Sequence, residues 1–159
     1  MSVQTSWLSR RLVLGLIASA VMLTTRWSRA EPAVAVKVWK DPNCGCCTGW
    51  VEYLRDNGFS VATIETTDVQ AIKADRGVPA ALASCHTAEI EGYTVEGHVP
   101  ASAIRRLLAE RPVAVGLAVP GMPVGSPGME GGTPEIYEVV LFGKRLPVLY
   151  GRYVGEHPA

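Results

Sequence analysis

The chain has 159 residues, 48% hydrophobic and 19% charged, with 15 basic and 15 acidic side chains that cancel. That length and composition fit one globular domain and exclude a disordered chain. Arg10, Arg11, Arg26 and Arg29 all lie in the first thirty residues, so the other 129 carry 11 basic against 15 acidic groups; a net charge of −4 excludes a nucleic-acid binder, which needs a basic face.

Residues 1–30 read as an export signal. Ser9-Arg10-Arg11 precedes Leu12–Leu23, twelve residues without a charge. Twelve is short for a bilayer and right for the apolar region of a signal peptide. Ser28 and Ala30 put small residues at −3 and −1 of a cut before Glu31. The paired arginines resemble a twin-arginine signal, although Val13 stands where phenylalanine is typical and Gly15 where lysine is common. An ordinary secretory signal fits the same residues. The expectation is an exported, periplasmic domain, residues 31–159, with no membrane span once the signal is removed.

Val34, Val36 and Val38 alternate with Ala35, Lys37 and Trp39, predicting a strand over Ala33–Lys40 that Asp41-Pro42-Asn43 breaks. Cys44-Gly45-Cys46-Cys47 follows, then a helix over Thr48–Asn57 with Trp50, Val51 and Leu54 on one face and Gly58 as its stop. Ser60–Thr66 reads as a second strand. Asp68 is an N-cap for a short helix, Val69–Arg76, ending at Gly77. Val78-Pro79 leads into Ala80–His86, read as a third strand, and Tyr93–Val95 is extended after a turn at Glu91-Gly92. Ala101–Glu110 is a helix whose Ile104, Leu107 and Leu108 form the buried stripe, closed by Arg111-Pro112. From Gly116 to Gly132 the composition turns to Gly, Pro and Met, a long loop of the kind that is functional or disordered. Ile136–Phe142 and Leu146–Tyr150 flank Gly143-Lys144-Arg145 as a hairpin.

A strand feeding a cysteine motif at a helix N-terminus, with a later Val-Pro, resembles the thioredoxin architecture. The expected fold is α/β and thioredoxin-like, with a mixed central sheet, flanking helices, the long Gly/Pro/Met loop and a C-terminal hairpin. In thioredoxins the corresponding proline is cis and its loop faces the cysteines. Pro79 matches that place by order and spacing, and a trans proline ending the preceding helix fits it too.

Cys44 and Cys47 form a C-x-x-C, which at a helix N-terminus supports reversible disulfide chemistry. Cys46 spoils that simple reading, because a third thiol beside the pair can attack a mixed disulfide. Three thiolates at the positive end of a helix are better explained as a soft-metal site, with Cys85 as a fourth sulfur from the facing side. Two structural disulfides are the plainer alternative in an oxidising compartment. Zinc accepts four thiolates but usually takes two separated pairs. Cu(I) prefers thiolate and thioether, tolerates two or three ligands, and clusters where thiolates bridge.

His86 follows Cys85, and on a strand the two side chains would point to opposite faces, favouring one of them at a single centre. His98 lies in the lead-in to the Ala101 helix, where its imidazole can project toward the cysteines. For each histidine alone, a hydrogen-bonded packing role is the plainer reading. Met122 and Met129 are secondary candidates as thioether ligands, although methionine more often fills a core. Trp39 and Trp50 bracket the cysteine loop and are expected to keep its sulfurs dry.

Lys40–Trp50, Gly77–Ala80, Ser84–Ala88, Glu96–Pro100 and Gly121–Glu130 together resemble the CopG-type copper-resistance family, over about Val36 to Tyr150. The resemblance implies a periplasmic thioredoxin-like protein that holds several copper ions on Cys44, Cys46, Cys47 and Cys85, with His98 a further ligand, and interconverts Cu(I) and Cu(II). Its partners would be copper ions and other periplasmic copper-handling proteins. A copper chaperone or storage protein without turnover, a thiol–disulfide oxidoreductase using Cys44 and Cys47, and a structural zinc protein are the alternatives.

Overall fold

The computed structural model describes residues 32–159; the expected export signal, residues 1–30, lies outside the described residues. The elements run β1 (Ala35–Lys40), α1 (Gly45–Asp56), β2 (Ser60–Glu65), α2 (Val69–Asp75), a 3-10 turn (Ala80–Leu82), β3 (Thr87–Ile90), β4 (Tyr93–Glu96), α3 (Ala101–Glu110), β5 (Gly116–Ala118), β6 (Ile136–Phe142), β7 (Val148–Val154) and β8 (His157–Pro158). All eight strands form one mixed sheet, ordered β2-β1-β3-β4-β5-β6-β7-β8. The β1/β2 and β4/β5 pairs are parallel and the rest antiparallel. The α/β class with a mixed sheet and a C-terminal hairpin stands as the sequence indicates.

Strand alternation sorts the side chains onto two faces. Val36 and Val38 of β1 register with Ile90 and Ala88 of β3, and Ala88 with Val95 of β4, so these residues share one face. That face joins Trp50, Val51 and Leu54 of α1 and Ala103, Ile104 and Leu107 of α3 in the main core. The opposite face carries a smaller cluster of Val78, Leu82, Ala118 and Phe142. It also carries the buried Lys73 of α2 against Thr87 and Glu96.

Local signals explain most boundaries. Asp68 caps α2, its carboxylate accepting from the Ala71 N–H at 3.2 Å. Arg111 ends α3 in the left-handed conformation just before Pro112. Helix α1 starts at Gly45, three residues before the predicted start, so Cys46 and Cys47 lie in its first turn with Cys44 as the N-cap residue.

Two expectations are corrected, and one open choice is decided. Ala80–His86 is not a strand: Ala80–Leu82 form a 3-10 turn and β3 begins only at Thr87. Alanine-rich chain after Pro79 lacks the β-branched side chains that favour strands, and Leu82 closes the turn onto the Pro79 carbonyl oxygen at 2.9 Å. No cis peptide bond occurs among the described residues, so Pro79 is trans. The segment from Gly116 is not loop from its start, because Gly116–Ala118 enter the sheet between β4 and β6. No helix among the described residues is long and apolar enough to cross a membrane.

Candidate metal centre

The N-terminus of α1 meets the loop before β3 at the end of the sheet where β1 finishes. Cys44, Cys46 and Cys47 come from the helix end and Cys85 from the facing loop. Their four sulfurs lie within 4.8 Å of one another. Cys46 Sγ is 3.5 Å from Cys44 Sγ and 4.0 Å from Cys85 Sγ. Cys44 and Cys47 are joined as a disulfide, while Cys46 and Cys85 are free thiols. Cys47 is buried and the other three are half-buried, so the site is shielded on its inner side and reachable from outside.

Two imidazoles complete the setting. His98 Nε2 is 3.0 Å from Cys85 Sγ, and His86 Nδ1 is 3.3 Å from the same sulfur. Cys85, His86 and His98 form a second close donor group that shares Cys85 with the sulfur cluster. The expectation that Cys85 and His86 diverge fails because its premise fails. They lie on a loop, where side chains need not alternate.

Both histidines are fully buried. The His86 ring packs against Trp50 at 4.4 Å between centroids, and its Nε2 is buried with no hydrogen-bond partner. Burial, reinforced by the neighbouring His98 and by Lys73, holds the His86 pKa well below its ordinary value. Burial also lowers that of His98, opposed by the Pro127 carbonyl. Burial and the adjacent Cys46 push the Cys85 thiol up to about 12. Both rings are therefore neutral at pH 7 and keep a lone pair, as metal-binding imidazoles must.

The Gly/Pro/Met loop closes the site from the side. Pro127 O accepts from His98 Nδ1 at 2.7 Å. Gly128 sits at φ +85°, and a Cβ there would lie 2.6 Å from Trp50 N and 2.7 Å from Cys46 O. Only glycine allows the loop to touch the first turn of α1 this closely. Met122 is exposed and Met129 half-buried on this loop; the donors drawn together are cysteines and histidines.

Trp50 is fully buried, its ring against His86 and its Nε1 donating to Val99 O at 3.0 Å. Trp39 lies on the other face of β1, beneath Lys37 and Arg76, and not beside the cysteines as expected. Sequence reasoning missed Lys73 and Glu96, a buried ion pair of 2.6 Å beside the Cys85 loop. An isolated Lys and Glu on polar-looking positions of α2 and β4 give no local sign that they pair.

The donor set fits a soft metal: four sulfurs and two imidazoles, with no carboxylate in either donor group. Residues 82–129 match the family described as "Protein of unknown function, DUF411". No curated protein matches the chain. Fold and site define a class, α/β proteins with a cysteine centre able to hold metal at a helix N-terminus. Two solved structures are similar over most of the chain. One, titled copper resistance protein CopG form 2, is 46% identical, covers 76% of this chain and 98% of its own, and has a TM-score of 0.72. The other, form 1, is 47% identical with 77% and 98% covered and the same TM-score. The chain belongs to the copper resistance protein CopG family.

Proposed function

We propose that the protein binds several Cu(I) ions on Cys44, Cys46, Cys47 and Cys85, with His98 as a further ligand, and interconverts Cu(I) and Cu(II). The observation that carries this reading is the convergence of four sulfurs within 4.8 Å beside neutral imidazoles. Such a set is soft enough for Cu(I), and shared sulfurs favour a multinuclear arrangement. His86 is a lesser ligand candidate, and Met122 and Met129 are candidates from sequence alone. The order β2-β1-β3-β4, with α1 following β1, supports the thioredoxin-like reading of this part of the fold. The export signal expected over residues 1–30 supports export to the periplasm, where copper would arrive from and leave to other copper-handling proteins. A mature N-terminus at Glu31, read by mass spectrometry, tests that step.

The redox step balances within the chain. When Cys44 and Cys47 close their disulfide, two thiols release two electrons and two protons, two Cu(II) become two Cu(I), and Cys46, Cys85 and His98 are left to hold them. Opening the disulfide with two Cu(I) runs the step in reverse. Anaerobic addition of Cu(II) to reduced protein tests it. Two Cu(II) should lose their paramagnetic signal per disulfide formed. A persistent Cu(II) signal with intact thiols would leave a storage or chaperone role instead.

The Cys44–Cys47 disulfide at a helix N-terminus favours a second reading, thiol–disulfide exchange with other proteins. That reading requires insulin-type reduction to survive Cys46→Ser and Cys85→Ser.

A further inference from the structure

Glu96 is fully buried beside the Cys85 loop, at the end of β4. Its Oε1 accepts from Lys73 Nζ and from the Ser84 backbone N–H, both at 2.6 Å. Its Oε2 accepts from Thr87 Oγ1 at 2.7 Å, and Lys73 Nζ donates to the same hydroxyl at 3.1 Å. Thr87 and Glu96 are register partners in the β3/β4 pair, so their side chains meet on one face. One carboxylate therefore grips the chain immediately before Cys85 and two residues after it.

The grip has no substitute in the main chain. Neither Ser84 nor Cys85 takes part in a backbone–backbone hydrogen bond among the described residues. The Ser84 N–H is anchored by Glu96, and the Ser84 hydroxyl reaches Gly121 O. Glu96 also leads, through Gly97, into His98. Gly97 sits at φ +71°, and a Cβ there would lie 2.6 Å from Ser84 Oγ and 2.7 Å from Val119 O. The loop bearing Cys85 and the strand end bearing His98 are thus held together around this carboxylate.

A buried ion pair is a poor source of stability, since well-packed apolar residues often do as well. Its charge-assisted hydrogen bonds are short and directional, which suits it to fixing geometry. We propose that Glu96, held by Lys73, is a positioning residue that sets Cys85 against Cys46 and His98. Its consequence for copper, that it brings the fourth sulfur into the cluster, rests on the copper reading above.

The test uses the full chain with the Cys44–Cys47 disulfide closed, leaving Cys46 and Cys85 free to react. Iodoacetamide labelling of Cys85 is read relative to Cys46 by mass spectrometry, and Cu(I) per chain is counted after reduction. Lys73→Met/Glu96→Leu removes both charges and the acceptor for Ser84 N–H. The Cys85-to-Cys46 labelling ratio should change by about tenfold, the scale of one lost buried hydrogen bond, and the Cu(I) count should fall. Lys73→Met/Glu96→Gln keeps an amide oxygen for Ser84 N–H and should restore both. A folded leucine variant with the wild-type ratio overturns the proposal, as does a glutamine variant as altered as the leucine one. If the leucine variant does not fold, Glu96→Asp carries the test, because it keeps the charge and withdraws the carboxylate by one methylene. An unchanged ratio there overturns the proposal. A wild-type protein that takes up no copper defeats the copper reading, whereas the labelling ratio judges Glu96 independently.

Discussion

His98 presents Nε2 to Cys85 Sγ at 3.0 Å because its Nδ1 is committed to the Pro127 carbonyl oxygen at 2.7 Å. A carbonyl can only accept, so the proton of the neutral ring sits on Nδ1 and the lone pair faces the sulfur. The Gly/Pro/Met loop thereby selects the tautomer of His98, just before α3, as supporting groups commonly do for metal-binding histidines. His98→Phe keeps the ring and removes the lone pair. It should weaken Cu(I) binding by at least roughly 10–100-fold, the range seen on losing even a group that only supports a ligand. Competition with a Cu(I) chelator measures this, and an unchanged affinity would remove His98 from the ligand set.

Gly128→Ala should loosen the same loop. At φ +85° an alanine is strained, and its Cβ would press on Trp50 N and Cys46 O. The cost is about 1–3 kcal/mol. Amide exchange should accelerate over Gly125–Glu130, and unchanged protection there would show that this contact does not hold the loop.

Helix α1 separates stability from chemistry. Leu54→Ala opens a cavity in the main core and should cost ~2–5 kcal/mol in denaturant unfolding. Its Cu(I) count should match wild type, because Leu54 lies two turns beyond the cysteines. Trp50→Phe strands the buried Val99 carbonyl, about 1–3 kcal/mol, and thins the wall against His86. It should therefore affect both stability and copper. Equal copper loss in the two variants would mean that global destabilisation alone is being read.

The buried histidines give the metal-free protein an acid-sensitive fold. The folded pKa of His86 is depressed, so above the unfolded value of about 6.5 both states are neutral and stability is complete. As pH falls below that value the unfolded chain binds a proton that the folded one resists, and stability declines; His98 acts in the same direction. Denaturant midpoints should fall from pH 7 to pH 5, and by less in a folded His86→Asn variant. A midpoint equally pH-dependent in wild type and variant would assign the effect to other groups.

The helices and the cysteine cluster were legible because their signals are local: the apolar spacing of Trp50, Val51 and Leu54, the cap at Asp68, and three cysteines in four residues. Cys85 as a facing sulfur followed from order along the chain. What stayed hidden depends on partners distant in sequence. The 3-10 turn at Ala80 turns the Cys85 segment into a loop, which lets His86 and Cys85 meet. Gly116–Ala118 become a strand because β4 and β6 supply edges on both sides. Lys73 and Glu96 pair across 23 positions with no pattern to announce it.

Anaerobic titration of the fully reduced protein with Cu(I), with Zn(II) in parallel and metal counted by native mass spectrometry, tests the central claim most directly. The account predicts several Cu(I) per chain, with the count reduced in Cys46→Ser. Uptake of a single zinc in preference to copper, or no metal beside a readily formed Cys44–Cys47 disulfide, would contradict it.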